Sequence, residues 1–344
     1  MGPAPLGAPE LSAAGGAAAG PGTASAGAAL GIDTSAYTTS VALVGVDGQL
    51  LADARTVLAV PAGSRGLRQS EAVFQHIRRL PELMERVMGS GRARVMAVAA
   101  STAPRPVPDS YMPVFKAGEA VARAVAAALG VPFVPLSHQE GHVWAGLWSA
   151  GLGPVDRVLA LHASGGTTEL LRATAAGGGR WHVERLGGTE DLNAGQFIDR
   201  VGVALGLPFP AGPHLERLAD AGAPQALQLP VAVRPGRVSF SGPATAALRA
   251  LEQGARPADL AAAVQECVAE SLARLVVLTP GALAEPLFLG VGGVLANARV
   301  RARLEEALAT AGVPAHFAAP RYSVDNAVGA ALAGVAAVRE AQAR

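Results

Sequence analysis

Cysteine is nearly absent from this 344-residue chain, with Cys267 the single example. One thiol rules out an internal disulfide and any cysteine-cluster metal site, and it fits a reducing compartment. Cys267 sits in the helical pattern AAAVQECVAESLARLVV, where a core position is expected. Lysine is equally rare: Lys116 stands alone, so arginine carries nearly all the basic charge, as GC-rich coding would produce. The formal net charge of +1 gives no global field for nucleic acid, so any RNA contact must come from a local patch or a partner. Aromatic residues are scarce at 4%. No long uncharged apolar run suggests a membrane span. Residues 1–28 lack periodicity and have neither the basic start nor the apolar stretch of a signal peptide. Leu6 also stands where a myristoylation signal beginning at Gly2 needs Ser or Thr. These absences describe a disordered Ala/Gly/Pro tail on a soluble, cytoplasmic protein with no membrane or DNA partner.

What is present is a chain half hydrophobic and only 16% charged, too long for one comfortable core, so two lobes are expected. Short strands over 30–33, 40–46 and 50–55 precede a helix over 70–88, whose apolar face reads Phe74, Ile77, Met84 and Met88 and which Pro81 should kink or split. A buried strand at 95–100, a helix at 114–129, a strand at 133–136 and a helix at 138–149 follow. After a linker at 151–156 the order begins again. Strands at 158–162, 169–173 and 181–186 lead to helices near 195–205, 244–253 and 260–278. A strand at 286–291, a helix at 298–311 and a last helix over 325–339 complete the chain.

The repeated opening is the informative feature: strand, polar turn, strand, strand in both LGIDTSAYTTSVALVG and LALHASGGTTELLRA. Each turn places small hydroxyl and glycine residues where backbone N–H groups can meet a phosphate. Two such loops facing each other resemble the jaws of actin, hexokinase and acetate kinase. The fold expected is therefore α/β, a duplicated, two-lobed actin-like or sugar-kinase fold. Residues 29–150 would form the first lobe, completed by the C-terminal helix of 320–344, and 151–319 the second.

Three segments carry chemistry. In His138-Gln139-Glu140-Gly141-His142 the two histidines stand at i and i+4, on one helix face and able to share one metal ion. HExxH peptidases use that spacing, but they need a glutamate directly after the first histidine, where Gln139 stands. Glu140 points about 200° round the helix from His138, so a metallopeptidase is disfavoured. Asp325, ahead of the last helix, suits either N-capping or a third ligand. In Gly290-Val291-Gly292-Gly293-Val294-Leu295-Ala296-Asn297, a strand runs into paired glycines that admit a flat ligand, and Asn297 can cap the following helix or bind a nucleotide.

Taken in order, GIDTSAYTTSVALV, HIRRLPEL, HQEGH, ASGGTTEL, LGGTEDLNAGQFIDRVGVALGLPFPAGPHLERLA, FSG, GGVLAN and DNAVGAALAG resemble the TsaD/Gcp family of tRNA threonylcarbamoyladenosine synthases, once called glycoproteases. The resemblance runs from about residue 30 to the C-terminus. It implies transfer of a threonylcarbamoyl group from threonylcarbamoyl-AMP to the exocyclic amine of the adenosine beside the tRNA anticodon. It also implies one divalent metal on His138, His142 and Asp325, with iron favoured and zinc or manganese compatible. Ser164, Gly165, Gly166 and Thr167 match the substrate loop, and Asp199, Gly212, Gly292, Gly293 and Asn297 match further nucleotide and substrate contacts. TsaB-like and TsaE-like partners, together with tRNA, are implied as well.

The chain departs from the family pattern in four places. Thr167 replaces a histidine, Leu192 replaces the second acid of a pair, Gln196 replaces a glutamate, and Ala103-Pro104-Arg105-Pro106-Val107 replaces a Gly-Pro-Gly-Leu turn. These mark a divergent branch. They leave open a non-catalytic nucleotide-binding paralogue that scaffolds a tRNA-modification complex, or a small-molecule kinase or carbamoyltransferase of the same fold.

Overall fold

The two openings become two antiparallel meanders, β1 (Gly27–Asp33), β2 (Thr38–Gly45) and β3 (Leu50–Val57), then β6 (Arg157–Ala163), β7 (Thr168–Gly177) and β8 (Arg180–Thr189). The computed structural model describes residues 27–35, 37–60, 67–90 and 93–344. The expected tail lies outside these, except that Gly27 and Ala28 already belong to β1. Each meander is extended by two parallel strands. In the first sheet, β4 (Arg94–Ala103) and β5 (Phe133–Ser137) give the order β3-β2-β1-β4-β5. In the second, β11 (Phe288–Val291) and β12 (Ala315–Phe317) follow β6 in the same way, so the order β8-β7-β6-β11-β12 repeats the first. A hairpin that the sequence reading missed, β9 (Ala232–Arg234) and β10 (Arg237–Ser239), lengthens this sheet beside β8.

Helices cover the outer faces. α1 (Gln69–Ser90) and α2 (Pro113–Leu129) pack on the first sheet against Leu30, Ile32, Leu43 and Val98. On the second sheet, α4 (Ala194–Ala204), α5 (Gly212–Ala219), α6 (Ser241–Glu252), α7 (Pro257–Leu278) and α8 (Ala298–Thr310) share a core with Leu159, Leu161 and Phe288. Cys267 lies in that core, as expected. Two helices fill the space between the sheets, α3 (His138–Ser149) and α9 (Val328–Ala343).

The period-2 pattern of β1 explains how α9 seats. Ala28, Leu30 and Ile32 face α1 and α2, whereas Ala29 and Gly31 face α9. A Cβ on Gly31 would lie 2.3 Å from the Ala327 carbonyl oxygen, so this glycine is what lets strand and helix touch. α3 turns Val143 and Leu147 towards Val158, Ala160, Leu289 and Val291 of the second sheet. The helix bearing the histidine pair, which the sequence assigns to the first lobe, thus packs on both.

Two expectations are corrected. α1 runs unbroken through Pro81, whose ring sits on the exposed side. Its buried face is Ala72, His76, Leu80, Leu83 and Val87, while Phe74, Ile77 and Met88 are exposed. Both sets have helical spacing, and the set that α1 turns towards α2, β2 and β3 is the one that becomes core. The last helix begins at Val328 rather than 325, so Asp325 lies in the turn before it.

Where α3 and α9 cross, a Cβ on Gly329 would sit 1.9 Å from the Gly141 carbonyl oxygen. Gly329→Ala is expected to lose about 1–3 kcal/mol through overpacking, read as a lower urea midpoint. Gly89→Ala, which meets nothing within 4 Å, should leave the midpoint unchanged or raise it. Equal midpoints for Gly329→Ala and wild type would show that the crossing tolerates a methyl group.

Candidate metal and substrate site

α3 starts from a capping box. The Ser137 hydroxyl accepts the Glu140 N–H at 3.2 Å, and the Glu140 carboxylate accepts the Ser137 N–H at 2.6 Å. Glu140 also accepts the Trp181 N–H at 2.9 Å and Nε of Arg180 at 2.8 Å, both on β8. This fully buried carboxylate therefore ties the two lobes together and has its oxygens engaged. It is a structural hub, and the geometry gives no support to a peptidase in which it would act as general base.

The opposite face of the first turns carries His138 and His142, with Nε2 atoms 3.0 Å apart. Asp325 Oδ1 lies 3.3 Å from the first and 3.7 Å from the second. Atoms bound at about 2.1 Å to one ion lie roughly 3.0–3.4 Å apart in octahedral or tetrahedral geometry; two sides of this triangle fall in that range, and the third, His142 to Asp325 at 3.7 Å, would close slightly around a single cation. Asp325 is free for the role because Asn326 does the capping: its side chain accepts the Val328 N–H at 3.0 Å and donates to the carbonyls of Tyr322 and Val324.

Two residues that the sequence reading did not select complete the cluster. Asp33, the buried end of β1, places Oδ1 3.3 Å from His138 Nδ1 and so turns Nε2 towards Asp325. His162, near the end of β6, packs its ring 4.5 Å from that of His142 and leaves Nδ1 buried without a partner. A polar end to an apolar strand was the available signal for Asp33, and a lone imidazole inside VLALHA was the signal for His162.

Electrostatics favour a positive guest. Burial disfavours a charged His138, but Asp33 and Asp325 outweigh it and raise the ring to about 10. Asp325 is held far below the carboxylate range by the two histidines despite its burial. Burial, then the His138 charge, lowers His142, and burial followed by the charges of His142 and His138 pushes His162 well below the ordinary histidine value. Two carboxylates thus share one protonated imidazole, and a dication that displaced the proton would balance the pair. The donor set, two imidazoles and a carboxylate supported by a second carboxylate, suits a divalent metal.

The substrate loop follows β6. Ser164 donates its N–H to the Thr167 carbonyl at 2.8 Å, and its own carbonyl accepts the Gly195 N–H at 3.2 Å. Gly165 and Gly166 face open space. β11 runs parallel to β6 and ends beside it, where Gly292, at φ +104, brings its Cα against the Ala163 carbonyl: a Cβ there would lie 2.2 Å away. Ser164–Thr167 and Gly292–Gly293 therefore share one crevice at the carboxyl ends of parallel strands, the usual ligand position in such sheets.

Asp199, Gly212 and Asn297 gather one layer further out. Asp199, whose pKa is raised by burial, accepts the Ala211 N–H at 2.7 Å and fixes the chain entering α5 at Gly212. Glu216 of α5 accepts the Ala298 N–H at 2.8 Å, joining that helix to the start of α8. Asn297 caps α8 through the Val300 N–H at 3.0 Å and donates to Gln265 at 2.9 Å, so the capping role is the one its side chain performs.

A sequence profile described as tRNA N6-adenosine threonylcarbamoyltransferase matches residues 61–332. Proteins of that name from Methanopyrus kandleri and Thermus thermophilus are 35% and 36% identical over 311 residues. The alignments span 89% and 88% of this chain and 86% and 91% of the relatives. Among solved structures, HypF of T. kodakarensis aligns over 91% of this chain and 48% of its own, with TM-score 0.59 and 15% identity. A ROK family protein from Streptococcus pneumoniae aligns over 92% of this chain and 100% of its own, with TM-score 0.55 and 13% identity. At such identities these two likenesses speak to the fold alone, the duplicated actin-like α/β architecture.

The cluster is tested by elemental analysis of anaerobically prepared protein. About one divalent ion per chain is expected for wild type and none for the His138→Ala/His142→Ala double variant. Asp33→Asn should keep the ion with affinity lowered about 10- to 100-fold. Equal metal content in wild type and the double variant would eliminate the site.

Proposed function

The chain belongs to the tRNA N6-adenosine threonylcarbamoyltransferase family, and on that premise we propose that it moves a threonylcarbamoyl group from threonylcarbamoyl-AMP to the exocyclic amine of the adenosine beside a tRNA anticodon. In that reaction the amine nitrogen forms a bond to the carbamoyl carbon. The bond from that carbon to the phosphate oxygen breaks, AMP departs, and the amine loses a proton. The observation that carries the reading is the His138, His142 and Asp325 triangle beside the Ser164–Thr167 crevice.

His138, His142 and Asp325 would hold the divalent ion, with iron favoured by family and zinc or manganese chemically admissible. Bound there, it supplies Lewis-acid polarisation of acyl or phosphoryl oxygens. Asp33 fixes the tautomer and tilt of His138. The glycines at 165, 166 and 293, open on their Cα faces, let main-chain N–H groups approach the adenylate. Glu140 and Arg180 keep the lobes in register during the reaction.

Partners are part of the proposal. The arginines of α8 offer no free patch for RNA: Arg299 is paired with Glu266 and Arg303 with Glu270, while Arg301 bonds the carbonyls of Leu295 and Ala318. With a net charge of +1, recognition of tRNA falls to an assembly with TsaB-like and TsaE-like proteins in the cytoplasm. The exposed Phe74 and Ile77 on α1 support a protein partner. Among the described residues, no helix is long and apolar enough to cross a membrane.

The test is reconstitution with threonylcarbamoyl-AMP and unmodified tRNA, with and without the host's partner proteins, reading modified nucleoside by mass spectrometry. Product is expected only with partners, and Asp325→Ala should lower it about 100-fold or more. Full turnover by the isolated chain would overturn the partner requirement. No product in any combination, with metal and nucleotide bound, would overturn the transferase reading.

A further inference from the structure

A polar cavity of about 200 Å³ opens on the outer side of the substrate loop, with Gly166 and Thr167 in its wall. Arg105 closes it from the first lobe, and Thr167, Glu169, Glu190, Asp191 and Asn193 line it from the second. It is connected to the metal-bearing helix, because the Gln139 N–H donates to the Pro104 carbonyl at 3.3 Å and the Gln139 side chain donates to Glu169 at 2.6 Å. Gln139, the residue after His138, is thus the link between this cavity and the helix that carries the histidines.

The charges around this cavity do not cancel evenly. Glu169 is buried and receives Nη2 of Arg105 at 2.8 Å and Nε of Arg185 at 3.4 Å. Asp191 is saturated: it accepts from the hydroxyls of Thr189 and Ser239 and from the N–H groups of Leu192, Phe240 and Ser241, and these hold its pKa far down despite partial burial. Glu190 is paired with Arg237 at 3.3 Å. Two guanidiniums thus share one carboxylate, and Arg105, with its side chain 57% exposed, is the more accessible of them. Its contact with Glu169 aims the guanidinium, a fixed fork suited to planar anions.

We propose that Arg105 is a specificity residue for the donor, binding the carboxylate of the transferred threonyl group in this cavity. This rests on the transferase reading above for the identity of the donor. A carboxylate fits better than a phosphate because Glu190 and Asp191 border the space. They repel a free phosphate dianion more than a monoanionic carboxylate, and Glu190 and Asn193 can accept from the carbamoyl N–H and the threonyl hydroxyl. The adenylate phosphate keeps the neighbouring glycine loop, whose donors are backbone N–H groups. With the acyl carbon towards His138 and the carboxylate on Arg105, the donor lies across the junction of the lobes.

Calorimetric titration of the full chain with N-carbamoyl-L-threonine, the transferred group capped by an amine in place of the adenylate, tests the assignment. Wild type should bind it at least about tenfold more tightly than N-carbamoyl-1-amino-2-propanol, which lacks the carboxylate. Arg105→Met should abolish that preference, and Arg105→Lys should keep part of it, since the charge survives without the fork. The proposal is overturned if Arg105→Met retains the preference, if wild type binds neither compound, or if inorganic phosphate competes as well as N-carbamoyl-L-threonine. Arg105-dependent binding in a protein that transfers nothing to tRNA would remove the transferase reading and leave the subsite in place.

Discussion

Everything chemical in this protein hangs on one close approach, the crossing of α3 and α9. Gly329 lets its helix come within contact distance of the Gly141 carbonyl, and Gly31 lets the same helix lie flat on β1. Two backbone-to-backbone contacts of this kind leave little freedom for sliding, since interiors are packed as densely as organic crystals. The turn before α9 therefore delivers Asp325 to the histidine pair at a set distance. A ligand triangle built from segments far apart in sequence needs such a fixed datum, because an error of about 1 Å is enough to spoil a metal or catalytic geometry.

The same helix pair governs the polar interior. Carboxylates buried without partners are costly, and each of those between the sheets has a specific one. Glu140 is spent on the capping box and on β8, Asp33 on His138, and Glu169 on Gln139 and two arginines. None could be exchanged for an apolar group without releasing a partner. The arrangement divides labour: Glu140 holds the lobes, Asp33 orients His138, and Asp325 completes the triangle with the two histidines. In sequence these three acids look alike; burial and partners separate them.

Much of this was legible in the residues. The duplicated strand openings gave the two matching meanders, and HQEGH gave the paired imidazoles, because both depend on short-range periodicity. Competition between equivalent patterns was not legible. α1 has two faces of helical spacing, and only its packing on α2 decides that Leu80 and Leu83 are inside and Phe74 and Ile77 outside. Asn297 and Asp325 both precede helices and could each cap or bind. The structure splits them, with Asn297 capping α8 and Asn326 relieving Asp325 of that task. Asp33 and His162 stood out locally as polar residues at the ends of apolar strands, but their meeting with α3 is a contact between distant segments that no local pattern encodes. The short hairpin of β9 and β10 is likewise fixed by pairing with β8 rather than by its own three-residue strands.

The departures from the family pattern acquire an order once placed in the fold. Gln196 accepts the Asn193 N–H at 3.0 Å and completes a capping box that glutamine serves as well as glutamate. Leu192 is drawn into the second core, where a carboxylate would have needed a partner. Both substitutions are absorbed by structure. The other two are not: Thr167 and Arg105 face each other across one polar cavity, with Asp191, the acid that survives from the pair, on its wall. Meanwhile the metal triangle and the glycine crevice keep every expected residue. Divergence confined to one wall of a site, beside reactive groups left intact, alters what is recognised before it alters what is done. A chain drifting towards a non-catalytic role would have no reason to spare His138, His142 and Asp325 while introducing an arginine oriented by a buried glutamate that also bonds Gln139.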